Sequence, residues 1–208
     1  MSDGLDKCDI YKNDYDIINS INKNIIYKKI IVFDFDGTLT RFNVPTELFK
    51  IKRALNLDVI DESLKYLIKN NGISNIFSEF VVDSSFLKLI QDMKSKNIRI
   101  MIMSYGYKDI IKKLLKAKGY SNLFELIITP ADFNLKEGYD QTKNLDGKNI
   151  MLNRVRKVYG VNRDNILLVD DSYENIKRAC NKGYKVLHVD SGNGLTKDMV
   201  QSITSFAK

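Results

Sequence analysis

Two aspartates, Asp34 and Asp36, follow the apolar segment 29–33 and stand two positions apart in the chain. The apolar run is typical of a strand buried on both faces, and side chains alternate along a strand, so both carboxylates leave the strand end on the same side. Two acids this close resist ionising together, and a bound cation would remove that repulsion. Gly37 comes next and suits a sharp change of backbone direction. Such carboxylates can serve as a nucleophile, as a general acid or base, and as metal ligands.

Polar side chains also follow two later apolar segments. Ser104 ends one of them, and Asp170 and Asp171 end the other. Lys148 opens a predicted helix that points toward the same edge, while Lys143 in the preceding loop is the rival for this position. Ligands of open parallel α/β sheets bind at the carboxyl ends of the strands, so we expect these groups to meet there. Acids, a hydroxyl and an ammonium together fit phosphoryl transfer assisted by Mg²⁺.

The elements that position these groups are strands alternating with amphipathic helices. This order predicts right-handed crossovers and an α/β fold, with a Rossmann-like three-layer core around a parallel five-stranded sheet. We expect a partly helical N-terminal extension over 1–28, a core formed by 29–40 and 83–208, and a small helical insertion over 41–82. The predicted strands begin at Lys29, Arg99, Leu126, Ile166 and Lys185.

The segment Asp34-Phe35-Asp36-Gly37-Thr38, followed in order by the other polar groups, resembles the four motifs of the haloacid dehalogenase-like (HAD) superfamily. The resemblance covers about 29–40 and 84–190, and it implies that the insertion over 41–82 is a small cap, called the cap insertion below. An acid at position 36 is what the phosphatases and phosphotransferases of the superfamily carry. The chain is therefore identified as a member of the phosphatase branch.

The resemblance also implies a role for each matching residue. Asp34 would be the nucleophile, and Asp36 the general acid and base, with its backbone carbonyl on the metal ion. Asp171 would bind the metal directly, and Asp170 would lie outside the inner coordination sphere. Ser104 and Lys148 would orient and neutralise the phosphoryl group. The phosphate-binding residues implied in this way are Gly37, Ser104, Tyr105, Gly106 and Lys148.

The implied function is a Mg²⁺-dependent phosphomonoester hydrolase that works through an aspartyl-phosphate intermediate. A phosphotransferase or phosphomutase of the same superfamily is one alternative, and a non-catalytic phosphate-binding regulator is another. The partner would be a small phosphorylated substrate or a phosphoprotein. Arg41, Phe42 and Phe49 are candidate substrate contacts in the cap insertion, although we favour core packing for the two aromatic side chains.

Net charge, hydropathy and cysteine content limit the classes of partner and the cellular location that we expect. The 208 residues carry a formal net charge of +7, but no block of like charges stands out, so we do not expect a nucleic-acid partner. No apolar run approaches the length of a membrane span. Two cysteines, Cys8 and Cys180, do not make a disulfide framework and favour a reducing, cytoplasmic location. We predict that Cys180 and the single histidine, His188, are packed residues.

Overall fold

A five-stranded parallel sheet forms the centre of the chain in a computed structural model, which describes residues 28–133, 148–190 and 192–208. The strand order is β3-β2-β1-β4-β5, which places β1 in the middle with β2 and β4 at its sides. This arrangement confirms the α/β fold class that the sequence predicts. The strands are β1 (Lys29–Phe33), β2 (Ile98–Met103), β3 (Leu126–Ile128), β4 (Ile166–Asp170) and β5 (Lys185–His188).

Both faces of this sheet are buried. Ile31 and Phe33 of β1 belong to one apolar cluster, whereas Ile30 and Val32 belong to a second cluster on the opposite face. All four side chains are inaccessible to solvent. Burial on both faces explains why residues 30–33 form a continuous apolar run in the sequence, since none of these four positions meets water.

Helices cover the two faces and build the cap insertion. Within the described residues α1 to α4 lie in the insertion, and α5 to α9 lie in the core. None of the described helices has both the length and the apolar character needed to cross a membrane. The helices are α1 (Val44–Ala54), α2 (Ile60–Asn71), α3 (Ile73–Ile76), α4 (Glu79–Val82), α5 (Ser84–Ser95), α6 (Lys108–Lys118), α7 (Asn149–Tyr159), α8 (Tyr173–Asn181) and α9 (Val200–Phe206).

The cap insertion packs directly on the core. Ser78 N–H donates to the Leu39 carbonyl at 2.9 Å, and the Tyr120 hydroxyl of the core donates to the Val81 carbonyl at 2.7 Å. Leu48 of α1 and Leu64 of α2 are buried in the same apolar cluster as one face of the sheet. The insertion therefore shares its apolar core with the main body.

Two predictions about packed residues are wrong. Cys180 is exposed, because it lies near the end of α8, whose buried residues are Asn175, Ile176 and Ala179. His188 is exposed as well, since it is the last residue of β5, an edge strand whose ends meet solvent. The N-terminal extension over 1–27 and the rival Lys143 lie outside the described residues.

Candidate active site

The carboxyl ends of β1, β2 and β4 bring the polar groups together. These three strands are neighbours, and their register pairs Phe33 with Ile102 on one side and with Val169 on the other. The residues that follow each strand therefore emerge at one edge of the sheet. The edge bounds a cavity of about 320 Å³. Its lining is formed by Asp34, Asp36, Gly37, Asn43, Pro45, Ser104, Tyr105, Gly106, Lys148, Asp170, Asp171, Ser172 and Asn175.

Lys148 lies between two of the carboxylates. Its ammonium Nζ donates to Asp34 Oδ1 and, at 2.7 Å, to Asp170 Oδ2. Only 2% of the Lys148 side chain is exposed. Burial alone would lower the pKa of Lys148, but the charges of Asp170 and Asp34 outweigh burial and raise it. Lys148 therefore carries a permanent positive charge at this edge of the sheet.

Asp34 is a buried acid with a strongly perturbed pKa. Burial raises the pKa of Asp34 well above its usual value, the Lys148 ammonium opposes this, and the charges of Asp170 and Asp36 raise it further. Its backbone N–H donates to the Val169 carbonyl at 2.8 Å, which continues the β1–β4 pairing by one residue. The carboxylate is thus held at a fixed position in the cavity wall.

Asp36 has a different environment from Asp34. Its Oδ1 accepts a 2.8 Å hydrogen bond from the backbone N–H of Val44, and its Oδ2 accepts one of 3.3 Å from Ser104 Oγ. Burial raises the pKa of Asp36 to about 6, although the Val44 hydrogen bond works in the opposite direction. A carboxyl group with this pKa exchanges a proton readily near neutral pH, as a general acid and base must.

Asp170 and Asp171 are adjacent in the chain but differ in burial and in hydrogen bonding. Asp170 is fully buried, and besides Lys148 its carboxylate accepts hydrogen bonds from Ser172 N–H at 2.8 Å and from Asn175 Nδ2 at 3.2 and 3.3 Å. Asp171 is only half-buried and faces Gly37. Burial raises the pKa of Asp171, and the neighbouring Asp170 charge adds to the effect.

Three of the acids have the donor set of a metal site. Asp34, Asp170 and Asp171 each contribute a carboxylate oxygen, and these atoms lie within 4.8 Å of one another. Lys148 is the one cation that the described residues place in contact with Asp34 and Asp170. Hard oxygen ligands in this number suit Mg²⁺ or a similar divalent ion, which would also relieve the repulsion that raises the pKa values.

At Gly37 and Gly106 the backbone lies close to carboxylate side chains, because glycine has no Cβ atom. Gly37 has a φ of 76°, and a Cβ atom there would collide with Asp171 Oδ2. A Cβ atom on Gly106 would come within 2.9 Å of Asp36 Oδ2. The Gly106 N–H donates to Ser104 Oγ at 2.9 Å, so the hydroxyl is held by the turn that follows β2.

Every predicted catalytic, phosphate-binding and metal-binding residue lines the cavity, whereas Arg41, Phe42 and Phe49, the candidate substrate contacts, do not. Sequence reasoning missed Asn43, Pro45 and the backbone N–H of Val44. A signal for them exists, since an asparagine two positions before a proline is a typical helix start. His188 also lies close to the site: its Nε2 is 3.0 Å from the Asp171 carbonyl, and its ring meets Tyr173 edge to face at 6.2 Å.

Comparison with solved structures shows what the fold of this chain is similar to. The chain resembles the inactive mutant of the HAD domain of effector protein Lem4 from Legionella pneumophila, with a TM-score of 0.57 and 17% identity over 88% of this chain and 95% of that one. A predicted HAD-like family hydrolase from Porphyromonas gingivalis gives 0.55 and 15% over 87% and 98%. A HAD-superfamily hydrolase from Ehrlichia chaffeensis gives 0.53 and 17% over 87% and 99%.

Sequence comparison finds no such likeness: no protein-family model and no curated protein matches the chain. At identities this low the structural likeness concerns the fold. It confirms the fold that the motif resemblance implies.

Proposed function

We propose that this chain, which has the haloacid dehalogenase-like fold, is a metal-dependent phosphomonoester hydrolase. The observation that carries the proposal is the meeting of Asp34, Asp36, Ser104 and Lys148 around one cavity, with Asp171 at its rim. Each of these groups has a defined task in phosphoryl transfer, and the cavity is large enough for a phosphate group. Two of the three structures reported above are described as hydrolases, which supports the same reaction class.

In the first half of the reaction, Asp34 is the nucleophile. A carboxylate oxygen of Asp34 forms a bond to phosphorus, and the bond from phosphorus to the leaving oxygen breaks. Asp36 in its protonated form gives its proton to the leaving oxygen, so that a neutral alcohol departs. Ser104 Oγ and the Lys148 ammonium hold the phosphoryl oxygens in this arrangement.

In the second half of the reaction, water hydrolyses the phosphorylated Asp34 with the help of Asp36. Asp36, now a carboxylate, takes a proton from water while the water oxygen bonds to phosphorus. The bond between Asp34 and phosphorus breaks, which releases inorganic phosphate and restores both carboxyl groups. The pKa of about 6 suits Asp36 to both steps, because the acid and its conjugate base are both accessible near neutral pH.

The residues present fit a divalent metal ion. Oxygens of Asp34 and Asp171 and the backbone carbonyl of Asp36 would hold it, and Asp170 would position Lys148 and the loop through Ser172. When bound, such an ion neutralises negative charge on the transferring phosphoryl group. We propose Mg²⁺, since it prefers a few carboxylates together with substrate oxygens and water.

Hydrolysis of p-nitrophenyl phosphate tests the proposal. We expect turnover in the presence of Mg²⁺ that EDTA abolishes and that Asp34→Asn abolishes. Asp58→Asn, an exposed acid between α1 and α2, is the matched control and should retain the wild-type rate. Turnover that persists in Asp34→Asn would contradict the assigned nucleophile.

The same experiment separates the alternative functions. A phosphorylated Asp34 that does not pass its phosphoryl group to water would identify a phosphotransferase or phosphomutase, which differs only in the acceptor. Binding of inorganic phosphate without turnover across a panel of phosphomonoesters would identify a phosphate-binding regulator.

A further inference from the structure

Large apolar side chains are exposed on the cap insertion. Five such side chains are exposed among the described residues, and four of them belong to the insertion, which makes this surface different from the rest of the molecule. Of these side chains only Phe49 belongs to α1, the helix whose first turn lines the active-site cavity, so Phe49 is the candidate for contact with a bound ligand. The four are Phe49 (52% exposed), Leu55 (43%), Val59 (51%) and Tyr66 (43%).

Phe49 belongs to a face of α1 that begins at the active-site cavity. Pro45 lines that cavity, and Phe49 follows it by four positions, so Phe49 lies one helical turn further along the same side. Lys52 and Arg53 follow on this side after another turn. We call Pro45, Phe49, Lys52 and Arg53 the docking strip. The prediction that Phe49 packs in the core is therefore wrong, whereas Phe42 does pack partly against the core.

A very small leaving group is too short to contact every residue of the docking strip. The eight positions from Pro45 to Arg53 rise about 12 Å along the helix. An extended peptide covers that distance with about four residues. Arg53 lies about 12 Å beyond Pro45 along α1, so a ligand whose phosphate is in the cavity needs a comparable length to reach it.

The charges on the docking strip indicate the chemistry of that ligand. The strip holds two cations, Lys52 and Arg53, and no acid. Lys52 Nζ donates to the Asp58 carbonyl at 2.5 Å, and Arg53 is the more exposed of the two cations. Glu47 of the same helix points elsewhere and pairs with Lys50 at 2.7 Å. An apolar position next to the cavity and a cationic position beyond it complement a ligand with an apolar group near its phosphate and acidic groups further away.

We propose that the substrate is a phosphorylated segment of a protein, with an apolar residue beside the phosphorylated side chain and acidic residues two to four positions away. The docking strip binds these flanking residues while the phosphate enters the cavity between β1 and Lys148. This inference rests on the proposed phosphatase function and names its substrate class. Small phosphorylated metabolites are the competing class.

The test compares peptides with free phosphoamino acids. The acidic peptide has nine residues, with phosphotyrosine or phosphoserine in the centre, leucine on each side of it and glutamates beyond. In the basic peptide lysines replace the glutamates. The quantity measured is the ratio of kcat/KM for each peptide to kcat/KM for the matching free phosphoamino acid, because this ratio cancels the intrinsic reactivity of the ester. We expect a ratio of at least about ten for the acidic peptide, and a lower one for the basic peptide.

Variants test whether the docking strip causes the preference for the acidic peptide. Phe49→Ala and Arg53→Glu should each lower the acidic-peptide ratio by about tenfold, the change that 1.4 kcal/mol of lost contact produces. Tyr66→Ala and Lys65→Glu are the matched controls, because they change an exposed aromatic and an exposed cation on α2 and should leave the ratio unchanged. Thermal unfolding of each variant checks that it is folded.

Each outcome is decisive. A wild-type ratio near one, with turnover of p-nitrophenyl phosphate intact, overturns the peptide substrate and leaves the phosphatase function standing. Equal losses in the strip and control variants overturn the role of the docking strip. Absence of turnover with every phosphomonoester, p-nitrophenyl phosphate included, overturns the proposed function and this inference with it.

Discussion

The backbone N–H of Val44, the first residue of α1, donates a 2.8 Å hydrogen bond to Asp36 Oδ1. The acid at the end of the central strand is thereby joined to the first turn of the cap insertion. An ionised carboxylate is favoured at this position because the N-terminus of a helix carries a partial positive charge. Burial has the opposite and larger effect, so the pKa of Asp36 is about 6. The insertion therefore contributes to the chemistry of the cavity as well as to its shape.

The first prediction concerns the leaving group. Asp36→Asn keeps the shape of the side chain, and the amide oxygen can still accept from Val44, but it cannot deliver a proton. The kcat/KM for an alkyl phosphate should fall by about 10²- to 10⁴-fold. The kcat/KM for p-nitrophenyl phosphate should fall much less, because p-nitrophenolate leaves without protonation and kcat/KM does not include the later hydrolysis of phosphorylated Asp34. Steady-state kinetics with both substrates measures the difference, and equal losses in kcat/KM would contradict a general-acid role for Asp36.

The second prediction concerns stability and pH in the absence of metal. The pKa of Asp36 is about 6 in the folded chain and near 3.8 when unfolded, so between these pH values the folded chain binds the proton more tightly. The contribution of Asp36 to the unfolding free energy therefore decreases as pH rises through this window. Asp36→Asn removes that penalty and should be more stable than the wild type at pH 7.5, by at most about 3 kcal/mol.

Urea denaturation in EDTA at several pH values measures this effect. The advantage of Asp36→Asn should shrink toward zero as the pH falls below about 4, because the wild-type carboxyl then becomes protonated in the unfolded as well as in the folded state. An advantage that is independent of pH would show that the gain has another cause.

The third prediction concerns the contact between Gly37 and Asp171. Gly37→Ala places a methyl group where Asp171 Oδ2 now lies, so the carboxylate must move. Gly119→Ala is the control, because Gly119 also has a positive φ but a Cβ atom added there would meet nothing within 4 Å. Both variants should lose about 1 kcal/mol or more of unfolding free energy from backbone strain. Only Gly37→Ala should weaken Mg²⁺ binding, measured by titration calorimetry.

The fourth prediction concerns the buried ammonium. Lys148→Met leaves Asp34 and Asp170 buried without their cation, and should lower the unfolding free energy by about 3–5 kcal/mol at pH 7.5. The loss should be smaller at pH 5, because burial raises the pKa of Asp34 and this carboxyl can then take up a proton. Lys113→Met breaks an exposed pair with Asp61 and should cost about 1 kcal/mol or less. Similar losses in both variants would contradict the buried ion-pair network.

Much of the fold and of the site follows from local patterns in the chain. A strand such as β1 that is buried on both faces must be apolar throughout, so it stands out as a continuous apolar run among the mixed sequence around it. Alternating strands and helices imply a parallel sheet, and a parallel sheet brings Asp34, Ser104 and Asp170 to one edge. For this reason the polar residues that follow the three central strands could be predicted to line one cavity.

Other features depend on contacts between distant segments, which no local pattern encodes. The Val44 N–H reaches Asp36 because the cap insertion packs on the core, and Lys148 lies between Asp34 and Asp170 because α7 begins beside both strands. The sequence predicts that Phe49 and His188 are packed, but both are exposed. An apolar or aromatic residue has the same sequence pattern whether a neighbouring segment covers it or not. Sequence order thus specifies which groups meet, and long-range packing sets their partners, their protonation and the surface around them.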